Sequence, residues 1–238
     1  MSGPTTVDDV VLGAFPHPTL PPIQGRPTYD SLVELRRLLR ANAASIPCLL
    51  GGGAHGYTAL TLSPARYYTL TGHNFNIPAN PGVHPVIPVN ATQHQITQAN
   101  RQHKADVKEF QTYTAVQGAL KKQILAAIED IYLSAIKDPI LGYANRTTMD
   151  MLDHLFNNYA QLTPTELADN MMIHLVKPWD PSTPFETVIN QIERCTEFAD
   201  DGGAPIPAQI ILNTAYTLVF NSGAYFDDIR DWERMSSK

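Results

Sequence analysis

Charge, cysteine, long apolar runs and catalytic signatures are all scarce in this chain. Only 17% of its 238 residues are charged, while 43% are apolar. That balance excludes a disordered polyelectrolyte and supplies enough apolar side chains for real cores. The two cysteines, Cys48 and Cys195, lie far apart and form no Cys-x-x-Cys. They cannot make a disulfide framework, so a reducing, intracellular setting is expected. The longest apolar runs are a few residues, as at Ile210–Leu212 and Leu218–Phe220. A bilayer span needs about 18, so no membrane partner is expected. Met1–Val10 has no basic segment followed by an apolar stretch, which predicts no secretory signal.

Reaction motifs are missing too. The chain has no Gly-x-Ser-x-Gly, no Gly-Lys-[Ser/Thr] and no Gly-x-Gly-x-x-Gly after a strand. The nucleophile elbow and the phosphate-cradling loops are therefore excluded. Leu50-Gly51-Gly52-Gly53 followed by His55 has the residue content of an oxyanion-hole loop, but no matching nucleophile accompanies it. A tight turn is the better reading. Asp150, Asp153 and His154 share a predicted helix, where a carboxylate and an imidazole four apart could begin a metal site. Nothing nearby repeats the pair, so they read as solvated helix surface. His94 and His103 read as exposed positions on a long helix. No catalytic, cofactor-binding or metal-binding residue is assigned, no small-molecule substrate is expected, and the expectation is a protein that is not an enzyme.

Charge sign is unevenly spread. Met1–Leu162 carries 12 basic against 11 acidic residues; Thr163–Lys238 carries 5 against 12, hence −7. An acidic C-terminal third repels phosphate backbones. Arg101, His103, Lys104 and Lys108, followed by Lys121-Lys122, form a short basic series interrupted by Asp106 and Glu109. It reads as a solvated helix face, or as a small patch facing a polyanion or a ring axis.

What is present is helix punctuation. Twelve of the 19 prolines lie in the first 90 residues. Pro16, Pro18, Pro21, Pro22 and Pro27 make residues 1–27 a flexible arm by expectation. Ser31-x-x-Glu34 opens a helix from about Asp30 to Ala43, with Leu32, Leu35, Leu38 and Leu39 as its apolar stripe. Ser63-Pro64 opens a short helix stopped by Gly72. Between them, Ile46–Leu50 and Tyr57–Leu62 flank a glycine turn and predict a short β-hairpin. After a Pro/Asn loop over 73–91, Thr92 and Gln95 cap a long helix reaching about Ile136, with a break near Gly118. Thr147 or Thr148 caps the next. Thr163-Pro164-Thr165-Glu166 and Thr183-Pro184-Phe185-Glu186 each pair a capping threonine with a proline at the first helical position. Further helices are predicted from Pro207 to Gly223 and towards Trp232. The fold class is mainly α in two helical lobes: 28–162 and 163–238 after the arm.

From residue 119 the order of motifs resembles a known family. Ala119-Leu120-Lys121-Lys122-Gln123-Ile124, Ile131-Tyr132-Leu133, Thr147 to Tyr159 with Leu152-Asp153-His154-Leu155-Phe156 intact, Pro178-Trp179-Asp180-Pro181-Ser182-Thr183-Pro184-Phe185-Glu186, Gln191-Ile192-Glu193 and Gln209-Ile210 through Val219-Phe220 follow one another as in the Gag polyprotein of copia-type LTR retrotransposons. Upstream, Leu49 to Tyr57 and Leu62-Ser63-Pro64-Ala65 resemble the front of such proteins. The resemblance implies N- and C-terminal capsid-type lobes and self-assembly into pentamers and hexamers of a virus-like particle in the cytoplasm. That shell would enclose element RNA. Many Gag proteins carry a Cys-x-x-Cys-x-x-x-x-His-x-x-x-x-Cys zinc knuckle after the lobes, and these residues contain none. RNA binding is therefore expected through a region outside them. The alternative is a domesticated, Gag-derived helical adaptor that binds a cellular protein.

Overall fold

A computed structural model of the chain describes residues 7–88, 90–225, 227 and 230. The chain divides into two compact units, Met1–Ala160 and Gln161–Lys238. Eight α-helices are present among the described residues: α1 (Val7–Ala14), α2 (Tyr29–Ser45), α3 (Pro64–Thr71), α4 (Gln93–Ala127) and α5 (Thr148–Tyr159) in the first unit, and α6 (Pro164–Val176), α7 (Glu186–Asp201) and α8 (Ala208–Ser222) in the second. The mainly α fold class stands.

The core of the first unit forms where three amphipathic helices meet. Leu32, Leu35, Leu38, Leu39 and Ala43 of α2 pack with Val116, Ala119, Leu120 and Ile124 of α4 and Met151, Leu152 and Leu155 of α5. Their threonine caps define the starts. Thr28, Thr92 and Thr147 each accept from the backbone N–H three residues on, and Ser31, Gln95 and Asp150 bond back to the cap. Ser31 is thus the closing residue of the first box, not its opener. The proline-led helix α3 is capped by Ser63 and stopped by Gly72, as the sequence predicts.

Several details differ from expectation. Of the proline-rich arm expected to be flexible, residues 1–6 lie outside the described residues, and the rest is not loose. Val7–Ala14 is helical, and Phe15 and Leu20 are buried in the core. The Ile23 N–H donates to the Ala127 carbonyl at 2.8 Å. Beneath the arm, Asn42 and Gln123, both buried, form an amide clamp. The His17 N–H donates to Asn42 Oδ1 (2.9 Å), and Asn42 Nδ2 donates to the His17 carbonyl (2.8 Å) and to Gln123 Oε1 (2.9 Å). Gln123 Nε2 donates to the His17 and Pro18 carbonyls at 2.7 and 3.1 Å. Prolines remove helical hydrogen bonds, but their neighbours' carbonyls remain good acceptors, and side-chain amides supply the donors.

The β-hairpin is replaced by two 3₁₀ turns, Leu50–Gly52 and Thr58–Thr61. The Tyr57 N–H donates to Ala43 at the end of α2 (2.8 Å) instead of across a ladder. Cys48, Tyr57, Leu60 and Leu62 are each buried without pairing as strands. Helix α4 passes through Gly118 unbroken and stops at Ala127. Glycine costs a helix only about 1 kcal/mol, and the packed neighbours Val116, Ala119 and Leu120 outweigh it. Beyond Ala127 the backbone turns extended at Ile128, and two 3₁₀ turns follow, with Ile128 and Leu133 both buried.

The second unit has a thinner core. Trp179, Val188, Ile192 and Leu218 form one cluster; Cys195, Ala199 and Ile206 form another, with Leu175 of α6 against it. Thr163 and Glu166 close a capping box on α6, with Pro164 at the first position. The Thr183 cap does not form. Thr183 Oγ1 donates to the Asp180 carbonyl (2.7 Å) and accepts from Trp179 Nε1 (3.0 Å), so α7 starts at Glu186 without a side-chain cap. The helix predicted towards Trp232 lies largely outside the described residues.

Candidate functional site

The glycine loop is a packing device. Gly51, Gly52, Gly53 and Gly56 all adopt positive φ. The Tyr67 phenol donates to the Gly51 carbonyl at 3.0 Å, and a Cβ on Gly51 would lie 2.3 Å from the phenol oxygen of Tyr67. A Cβ on Gly56 would meet the Ala44 carbonyl at 2.5 Å. Close approach and left-handed backbone account for these glycines. Burial pushes the Cys48 thiol beside them above its ordinary range, and the Tyr57 phenol likewise. A raised thiol is a poor nucleophile at neutral pH.

The Leu152-Asp153-His154-Leu155-Phe156 motif builds α5 into the first unit. Leu152 and Leu155 are buried core. His154 Nε2 lies 3.0 Å from the Tyr132 carbonyl and Nδ1 lies 3.2 Å from Asn158 Nδ2. A carbonyl can only accept, so Nε2 carries the proton and Nδ1 accepts from Asn158. His154 thereby latches the turn after α4 to α5. Arg36 sits over the Phe156 ring at 4.3 Å. Asp150 spends its carboxylate on the Thr147 N–H at 2.8 Å. Asp153 is pushed up first by burial and then by the charge of Asp150. The trio expected as helix surface is half structural latch, and no cluster of three or more metal-ligating side chains occurs among the described residues.

The basic series separates into two places. No residue of α4 from Gln93 to Thr114 is buried. His94 and Arg101 border a shallow cleft of about 360 Å³ on this exposed half, and the His103 and His84 rings meet edge-on at 4.7 Å. Lys121 and Lys122 stand about 30 Å farther along the helix, at 1.5 Å per residue. There they join Arg146, which reading along the chain could not pair with them, around a second cleft of about 650 Å³. Tyr143 also borders that cleft, its phenol pushed up to about 12 by burial and by the hydrogen bond it donates to Asp130.

The second unit has a different surface. Helix α6 buries none of its residues. Met172, Ile173 and Val176, which share one side at helical spacing, are 67, 58 and 67% exposed. Trp179 faces inward, stacked on Tyr225 at 6.0 Å and edge-on to Phe185 at 5.6 Å. No helix among the described residues is long and apolar enough to cross a membrane. Comparison of the chain with family models, with curated proteins and with solved structures finds no match.

Proposed function

We propose that this chain is a capsid-type structural protein that assembles with copies of itself, as the resemblance to copia-type Gag implies. The observation that carries the reading is α6, an amphipathic helix that buries no residue and leaves Met172, Ile173 and Val176 in solvent. The core behind it is small. Exposed apolar stripes on a thinly packed unit favour burial against another surface. A second copy is the occupant that fits the motif order. Head-to-tail contacts that close around an axis make pentamers and hexamers, and many weak contacts add up in a shell. Element RNA would be held through a region outside these residues, and the particles would be cytoplasmic.

The charge of −7 on Thr163–Lys238 sets the test. Like charges on units brought together repel, and salt screens them over about 10 Å at 0.1 M. Light scattering across a salt series is expected to show mass rising with salt and with concentration. Met172→Glu should suppress that rise without lowering the melting temperature. An adaptor for a basic partner would lose its complex as salt rises. A monodisperse monomer at every salt and concentration would count against the proposal.

A further inference from the structure

The turn between α4 and α5 ends in a rigid apolar tip. Pro139, Ile140 and Leu141 follow one another there, all exposed, Ile140 at 91% and Leu141 at 51%. The backbone beneath them is tightly fastened. Asp138 and Gly142 exchange two backbone hydrogen bonds at 2.9 Å each. Asp138 Oδ1 accepts from the Ile140 and Leu141 N–H groups at 2.8 Å each. At the base, the Tyr143 phenol and Lys137 Nζ donate to the Asp130 carboxylate at 2.8 and 2.7 Å. Arg146 Nε donates to the Ile136 carbonyl at 2.8 Å. None of these bonds needs an apolar side chain at the tip; polar turn residues would leave them all in place. Consecutive apolar residues held in solvent mark an interaction site. A tip already fixed in shape also loses little freedom on docking.

The same unit carries a pocket that suits such a tip. Pro21, Pro22 and Ile23 of the arm and the buried Leu35 and Leu38 of α2 line a mostly apolar cavity of about 330 Å³. That is the low end of ligand-sized cavities, about 300–1,000 Å³. Glu34 on its border accepts from Arg37 on both oxygens at 2.7 Å, so its charge is already matched. The arm side is held in place by the amide clamp and by the Ile23 N–H bond to Ala127. Tip and pocket share no residue, and the exposure of Ile140 means that its own pocket does not hold it. Each copy therefore offers one tip and one pocket. A patch that fits a pocket elsewhere on the same molecule makes a head-to-tail contact, which closes into a ring or grows as a filament. Three side chains cannot bury the roughly 1,200 Å² of a stable pair. The contact is weak alone and gains from the many copies of itself in a closed ring.

We propose that the tip of Pro139, Ile140 and Leu141 docks in the pocket between the arm and α2 of a second copy. The inference rests on the self-assembly reading and adds a contact of the first unit, separate from the α6 stripe. Disulfide trapping in the full chain tests it. Both native cysteines are buried, so introduced ones report the contact. Ile140→Cys is mixed under mild oxidation at high salt with a second protein carrying Gln24→Cys or Glu34→Cys, two exposed positions on the pocket border. A disulfide needs its Cα atoms within about 7 Å, so only docked copies cross-link efficiently. The mixed dimer should exceed, by about fivefold or more, the one formed with Lys108→Cys, an exposed control position on α4. Ile140 is in solvent, so Ile140→Asp keeps the fold, as a melting curve checks. In light scattering it should need about tenfold more protein to reach the mass of the parent chain, the loss expected of a buried contact residue. A parent chain that gains mass while Ile140→Asp gains equally, with no mixed dimer above the control, would overturn the tip contact and leave the assembly reading standing. A parent chain that stays monomeric with no trapped dimer would overturn both. A trapped dimer from a chain that scatters as a monomer would support the contact and overturn only the assembly reading.

Discussion

Replacing Asn42 by alanine probes how the proline-rich arm is held. Asn42 is fully buried and Gln123 nearly so, and together they fasten His17 and Pro18 to the ends of α2 and α4. Without Asn42, Gln123 Oε1 loses its donor at 2.9 Å and the His17 N–H loses its acceptor at 2.9 Å. The orphaned amide oxygen is buried and costs about 1–3 kcal/mol. The His17 N–H is only half-buried, so water reclaims part of its loss, leaving about 1 kcal/mol. The expected destabilisation is about 2–4 kcal/mol, read from urea unfolding followed by circular dichroism. Gln123→Ala should cost a similar amount. The double variant should cost less than the two single changes together, by about 0.5–3 kcal/mol, because removing both amides leaves fewer orphans. Thermolysin should then cut near Leu20 and Ile23 well before the rest of the first unit opens. A change below about 0.5 kcal/mol in Asn42→Ala, with residues 15–27 cut no faster, would refute the clamp.

Other outcomes follow from the same physics. Trp179→Ala should cost about 3–5 kcal/mol, a large part of the roughly 4–12 kcal/mol that a unit this size has in total. The unfolding transition of residues 161–238 should collapse while that of 1–160 holds, and an unchanged melting profile would refute the burial. Glu166 is held below its ordinary 4.5 first by the Thr163 N–H and then by its hydroxyl. A depressed carboxylate stabilises fully above its unfolded value and loses that stability as pH falls through the folded one. Urea midpoints should therefore drop below about pH 4.5, with a shallower slope in Glu166→Gln; identical slopes would remove the effect. Limited proteolysis should cut first within 160–165 or 73–91, where helices are interrupted. A fragment protected straight through both segments would contradict the division into two units.

Helix starts were legible in the sequence wherever a threonine or serine sits three residues before its partner, because capping is local chemistry. Thr92, Thr147 and Thr163 show this, and Ser63 with Pro64 shows it for α3. Thr183 carries the same signal but is drawn instead into a bond with Trp179, which only the fold of its loop brings near. The arm was misjudged because proline content reports what a segment cannot donate, not what may donate to it. Asn42 and Gln123 are 25 and more than 100 residues from His17. The hairpin failed because two apolar runs around glycines fit strands and 3₁₀ turns equally, and Tyr67, beyond both runs, decides by filling the space beside Gly51. The cleft on α4 was half visible as Lys121-Lys122; Arg146 joins only through the turn that Asp138 and Gly142 close.

The proposal of self-assembly stands or falls on the form the protein takes when concentrated. Electron microscopy of the purified chain at high concentration and high salt is the direct measurement. Closed shells or tubes built from rings are the expected result, lost in Met172→Glu. Uniform single molecules in every field, with the fold intact by circular dichroism, would contradict it.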